Sequence, residues 1–567
     1  MATLQSSAPD PSLPLLAQCT HILANITTLL SELDALKDAL TRRPSPTTTT
    51  KPLAWNQAVP GLGPFERLVV SEKKHLERMV AAYVPDLGDE ELEALDRKTR
   101  LRLDASNYKF YESVWGVAKR CCDLAGMRRE LAVKQREGGK KGKGVGAVVD
   151  LVVAGGTEWV KVVTTTERRL FYEMADAGWD WDEEQEEEED GEEEMLEVLR
   201  EEGEGSVEVA RVARCMIAAA RGSFEGYRRP RCVILMSRIE EGRNAHVDRL
   251  LSLVRRLGEG TGVELVVETA NSGILARPTP ALGEAIRNLV QADPFVGFTD
   301  TLNVDCSVFM ALASDCSHLR IGPESPLLRG AQHRLDAADE MENGPRLVTT
   351  MYPALGARRL VTTREAADTC LRILGEIGTE TEKARTRILF EPLGKDEGKR
   401  QRVRALQELS KHPVPEDLQL PVEVVPGVSW EEARGLVEEG ALPKVALAVG
   451  RKGSGLDAMG VSSFLYGWKE GITTVTGNWD AVKRLRAAIE AGCAEADGDG
   501  EEGVVMGDGP RVWRIPFSRK LLAKPRPRGV DAGEDDGAGR KLKTRVEKKV
   551  EKERSLESWI GEVRLEE

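Results

Sequence analysis

Five polar residues in the second half of the chain, Asp305, Glu365, Asp457, Asn478 and Asp480, stand at comparable places in the sequence. Each follows an apolar run and comes just before, or in the first turn of, a stretch with helical spacing. Asp305 lies in N-V-D-C-S-V-F-M-A-L, Glu365 in V-T-T-R-E-A-A and Asp457 in S-G-L-D-A-M-G, while Asn478 and Asp480 share V-T-G-N-W-D-A-V. Carboxylates gathered at one point repel one another and lose hydration, so a site that holds several needs a cation. Hard oxygen ligands around an open position suit Mg²⁺ or Mn²⁺, which keep part of their water and bind phosphates. Two such ions can activate a water and stabilise the leaving oxygen of a phosphodiester.

For that chemistry the residues must meet, and a parallel sheet would bring them together because its strand ends lie along one edge. The expected strands are the run before Asp305, residues 346–351 (R-L-V-T-T-M), 357–363, 421–425, the apolar stretch K-V-A-L-A-V-G at 444–450, 471–476, and R-V-W-R-I-P-F near 511–517. Helices are expected after Asp305, from Glu365 to Leu374, over 379–388, 403–410 and 430–438, and after Asp457 and Asp480. Residues 322–343, polar and charged, read as a loop. Each motif alone has an ordinary use. Asp and Ser cap helices, Ser307 reads as a helix cap here, and a first-turn Glu complements the helix dipole.

Taken in order, the motifs N-V-D-C-S-V-F-M-A-L, V-T-T-R-E-A-A, S-G-L-D-A-M-G and V-T-G-N-W-D-A-V resemble the PIN-domain superfamily of metal-dependent ribonucleases, over roughly residues 296–520. The resemblance implies a C-terminal PIN-like three-layer α/β domain with a mainly parallel sheet. It makes Asp305 and Asp457 the central ligands of Mg²⁺ or Mn²⁺ and Glu365 the helix-borne third, with Asn478 and Asp480 in support. The catalytic set would be Asp305, Glu365, Asp457 and Asp480, and the activity an endoribonuclease acting on single-stranded or structured RNA. Asn478 departs from the family's commoner Asp and brings an oxygen without a charge. That departure keeps a second reading open, a catalytically inactive PIN-like scaffold that binds RNA or protein. With the upstream V-V-D-L-V-V-A-G-G-T-E-W-V-K-V, the chain also resembles a eukaryotic family that pairs a conserved N-terminal region with a PIN-like C-terminal domain. That likeness implies an architecture and no activity.

The N-terminal half reads as helical plus α/β. Residues 14–42 repeat Leu and Ile at three and four, an amphipathic helix able to pack on its own domain or on a protein partner. Residues 44–51 have the composition of a linker, and helical patterns follow at 65–83, 89–102 and 108–135. The basic, glycine-rich stretch 136–146 lacks the spacing of a phosphate-binding loop and reads as a surface loop. Two β-branched runs around Gly155-Gly156 read as a hairpin. Its Asp150, Glu158 and Lys161 invite comparison with the metal hairpin of restriction-endonuclease-like nucleases. That pattern needs an acidic residue where Trp159 stands, so a structural hairpin is expected. The acidic tract 181–204 reads as a disordered insertion that could take a basic partner. A helix at 207–221, the strand R-C-V-I-L-M, a helix at 246–257 and the strand V-E-L-V-V-E form a βαβ unit with a right-handed crossover. The expected division is 1–64, helix and linker; 65–290, an α/β domain with the acidic insertion at about 181–205; 291–520, the PIN-like domain; and 521–567, a charged tail. That tail carries R-K-L-K-T-R-V-E-K-K, of nuclear-import type, and a helical pattern at 540–563.

A chain of 567 residues, 41% hydrophobic and 31% charged, is long enough for two or more cores. No apolar run is long enough to span a bilayer, and no secretory leader pattern opens the sequence. The nine cysteines show no metal-ligand spacing, which points to a reducing, intracellular setting, cytoplasmic or nuclear. A net charge of −14 argues against general coating of nucleic acid, but much of it sits in one block.

Overall fold

The computed structural model describes residues 14–522 except 44–53, 86, 132–133, 138–139, 144–146, 178, 180–188, 201–206, 292, 294, 329, 392–397, 452 and 499–508. Among the described residues there are twelve strands: β1 (Gly126–Leu131), β2 (Lys134–Glu137), β3 (Lys140–Lys143), β4 (Ala147–Val153), β5 (Glu158–Val163), β6 (Arg231–Met236), β7 (Leu265–Thr269), β8 (Thr301–Val304), β9 (Arg359–Thr363), β10 (Glu423–Val425), β11 (Thr473–Thr476) and β12 (Val512–Arg514). β2 and β3 pair only with each other, and the others form two five-stranded sheets.

In R-C-V-I-L-M almost every position is apolar, as a strand covered on both faces requires. It becomes β6 in the first sheet, ordered β1-β4-β5-β6-β7. β1, β4 and β5 run antiparallel, and β5, β6 and β7 are parallel. Side chains alternate across a strand. Val233 and Leu235 therefore join Ile26, Leu33, Phe65 and Trp115 on one face. Cys232, Ile234 and Met236 join Leu196, Met216, Leu250 and Val254 on the other. The N-terminal helix Leu15–Arg42 buries its stripe of Ile26, Leu29, Leu33 and Leu36 in the first of these cores. That apolar surface is occupied inside the molecule.

The second sheet is all parallel and ordered β10-β9-β8-β11-β12. Its first strand, β8, lies at the centre, and the chain winds outward in one direction through β9 and β10 and in the other through β11 and β12. The order reverses between β8 and β11, and open parallel sheets bind ligands at such a switch point, beyond the carboxyl ends. Helices cover both faces. Leu302, Val304 and Val475 meet Val308, Phe309 and Leu374. On the opposite face Asn303 donates to Ser463 O of helix Ala458–Lys469 at 2.8 Å. A Cβ on Gly467 of that helix would come within 2.1 Å of Thr474 Oγ1, so only glycine allows this close an approach.

Several expectations give way. Residues 444–448 form a tight helical turn and not a strand. Val445, Ala446, Ala448 and Val449 are buried at helical spacing, and a Cβ on Gly450 would strike Trp430. Among the described residues no strand therefore leads into Asp457. Residues 347–351 are also helical: Leu347 and Met351 are buried while Thr349 between them is exposed, a pattern of helical period and not of a strand. The expected loop 322–343 contains helix Ala331–Asn343, which buries little beyond Asp336 and Ala337. Ion pairs hold it, with Asp339 and Glu340 on Arg519. The helix expected over 108–135 ends at Ala118, and β1 follows where Met127 N–H donates to Pro60 O. Part of the acidic tract, Glu189–Arg200, is a helix against Ala245–Arg256. Its Leu196 and Leu199 are buried, and Glu192 and Glu193 pair with Arg256. The linker 44–51, residues 181–188 and 201–204 of the acidic tract, residues 499–508 and the tail beyond 522 lie outside the described residues. Among the described residues no helix is long and apolar enough to cross a membrane.

Candidate functional site at the carboxyl edge of the second sheet

Thr473 pairs with Leu302 and Val475 with Val304. This register sets Asp305, one residue past β8, abreast of Thr476 at the end of β11. Asp305 occupies the cap position of helix Cys306–Ala313 but makes no side-chain cap bond. Ser307, the expected cap, lies inside the first turn. Its hydroxyl donates to Asp305 Oδ2 at 2.6 Å, and Thr476 Oγ1 donates to the same oxygen at 2.7 Å. Each hydroxyl in turn accepts a backbone N–H of the following loop, Gly477 on Ser307 at 2.8 Å and Asn478 on Thr476 at 3.0 Å. A buried carboxylate, 6% exposed, is thereby compensated by hydrogen bonds and ties the 477–478 loop to the switch point. The Cys370 thiol lies close by. Contact with Cys306 first, and burial next, push its pKa far up and keep it protonated.

Glu365 stands in the first turn of helix Arg364–Ile377 and is exposed. Its Oε2 accepts from Ser462 Oγ at 2.8 Å. Gly427 crosses just above, where a Cβ would come within 1.8 Å of Ser462 Oγ and 2.4 Å of Glu365 Oε2. Asp457 caps helix Ala458–Lys469, its Oδ1 accepting from Gly460 N–H at 2.8 Å. Asn478 Oδ1 likewise accepts from Ala481 N–H at 3.1 Å, opening helix Trp479–Gly498. Asp480 is exposed one residue into that helix. Arg484, farther along, donates to Gly455 O at 2.6 Å and holds the loop that leads into Asp457. All five sequence-selected residues therefore belong to segments at one sheet edge. Asp305 is engaged with Ser307 and Thr476, and Glu365 with Ser462.

Ser462 and Arg484 carry no local signature. Neither does the group around Trp479, where the Arg514 guanidinium lies 3.7 Å and Lys483 Nζ 4.8 Å from the ring centroid. A hard dication needs several oxygens around one point. Among the described residues no group of three or more His, Cys, Asp or Glu is placed to hold a metal ion. One oxygen each of Asp457 and Asn478 is occupied by a helix cap, and Asp305 Oδ2 by two hydroxyls. As they stand, these residues do not fit Mg²⁺ or Mn²⁺.

In the first half, Asp150 is buried and accepts from Val162 N–H at 2.9 Å, with Lys161 Nζ 3.2 Å away. Glu158 pairs with Arg231 at 3.0 Å. Asp150, Glu158 and Lys161 lie on the hairpin expected around Gly155-Gly156, formed by antiparallel β4 and β5. A cleft of about 720 Å³, lined in part by Tyr227, Arg228, Phe298, Thr473 and Trp513, lies at the amino edge of β11 and β12, opposite the carboxylates. Compared with models of known families, with curated proteins and with solved structures, the chain matches none.

Proposed function

We propose that the second half of the chain is a PIN-like domain that binds RNA at its carboxyl edge without cleaving it. The observation that carries this reading is the state of the acidic residues at the switch point. Asp305 acts as a hydrogen-bonded anchor for the 477–478 loop, and Asp457 and Asn478 act as helix caps. Beside them stand Lys483 and Arg514, which suit phosphate. The opposite reading is a Mg²⁺- or Mn²⁺-dependent endoribonuclease. It draws support from the common edge shared by Asp305, Glu365, Asp457 and Asp480, and it needs those carboxylates to close around one point.

One pair of assays separates the two. Single-stranded RNA is incubated with the wild type and with Asp305→Asn/Asp457→Asn in Mn²⁺, and both binding and chain cleavage are read. Binding without cleavage by either protein is the expected result. Cleavage by the wild type that disappears in the double variant overturns the scaffold reading in favour of the nuclease. Absence of RNA binding by the wild type rejects both.

A further inference from the structure

Trp479 is the first residue of helix Trp479–Gly498 and leaves 46% of its surface in solvent. An exposed indole flanked by cations is a surface on which an unpaired base can stack. The register of β12 on β11 sets Arg514 opposite Thr476, so Arg514, Thr476 and Asp305 stand side by side across three strands. Arg514 reaches the indole, and Lys483, one turn along the helix, reaches it as well. Among the described residues neither cation is in an ion pair. In a chain with a net charge of −14, two cations that no described carboxylate pairs, beside an open indole, call for an outside anion. Loss of hydration also draws the Arg514 pKa down.

From this geometry we infer that Trp479, Lys483 and Arg514 form a stacking platform for one unpaired base of single-stranded RNA, the two cations taking the flanking phosphates. The inference rests on the RNA-binding reading above and narrows it to a strand form. A base inside a duplex has both faces occupied, whereas an unpaired base can lie on an indole. An acidic peptide would need the cations but not the ring, so the ring is the discriminating element.

The test uses the full chain, fluorescence anisotropy, a short labelled single-stranded RNA, the same strand in a duplex, and polyglutamate as competitor. The variants are Trp479→Ala, Trp479→Phe and Lys483→Ala/Arg514→Ala, each checked for an unchanged thermal melt. The wild type should prefer the single strand. Trp479→Ala should weaken that binding about tenfold or more, while Trp479→Phe, which keeps a ring, should hold most of it. The double variant should bind more weakly, with a shallower dependence on salt. If Trp479→Ala binds like the wild type while the double variant is weak, the platform is wrong and the RNA-binding reading stands on charge alone. If polyglutamate displaces RNA equally from the wild type and Trp479→Ala, the ring has no part and an acidic protein partner takes its place. If the wild type binds no RNA, the underlying reading falls and the platform with it.

Discussion

A carboxylate as buried as Asp305 stays in a fold only when donors replace its lost water. Here the donors are two hydroxyls, Ser307 and Thr476, and each is itself fixed by a backbone N–H. Thr476→Val keeps the shape, removes one donor to a buried carboxylate and leaves Asn478 N–H unmatched. It should cost about 2 kcal/mol, read as a lower urea midpoint with an unchanged slope. A second residue makes the fold sensitive to pH. His318 is buried, and its Nε2 lies 2.7 Å from Leu312 O, to which it must donate. Burial first, and the charge of Arg385 next, pull its pKa down to about 3 from the ordinary 6.5. The unfolded chain therefore binds the proton first on acidification. Stability from this group is complete above pH 6.5 and is lost as pH falls from there toward 3. His318→Gln can still donate to Leu312 O but cannot titrate. Between pH 6.5 and pH 5 the wild type should lose about 2 kcal/mol more than the variant. Parallel stability curves for the two proteins over that range would contradict this.

At the scale of elements, strands ending in a polar residue and followed by a helix were legible wherever the apolar run was short and β-branched, as in β8, β9 and β11. The run before Asp457 was not. K-V-A-L-A-V alternates well enough for a strand, yet its alanines suit a helix, and the packing of Trp430 on Gly450 decides the matter. Helix Ala331–Asn343 left no apolar stripe to read, because distant partners such as Arg519 hold it. The candidate site was legible as an order of motifs. Ser462 on Glu365 and Arg514 on Trp479 join residues far apart in the chain, and spacing carries no trace of such contacts. The acidic tract illustrates the same limit, for charge density hid the pair Leu196 and Leu199. Leu196→Ala should cost about 2–5 kcal/mol, whereas Glu193→Gln, on the exposed side of the same helix, should stay within about 0.5 kcal/mol. Equal urea midpoints for the two variants would show that the helix does not pack in solution.

At the scale of the molecule, the last described segment locks the second half together. Arg519, 2% exposed in its side chain, lies 2.6 Å from Asp339 and 2.7 Å from Glu340. Leu522 N–H donates to Glu382 Oε1 at 2.7 Å, and Ser314 Oγ to Lys520 O at 2.8 Å. Arg519→Ala would leave Asp339 to Arg346 and Glu340 with the Arg346 N–H in place of the guanidinium, and should cost about 3 kcal/mol, measured by thermal melting. The fold thus invests heavily in fixing β12, the strand that brings Arg514 to the edge shared with Asp305, Asn478 and Trp479. The most direct test of that edge as an RNA surface is ultraviolet crosslinking of the full chain to single-stranded RNA, with the crosslinked peptides identified by mass spectrometry. The account predicts crosslinks within residues 477–484 and at the 512–515 segment. Crosslinks confined to the opposite edge, at 226–228 and 297–298, or none at all, would contradict it.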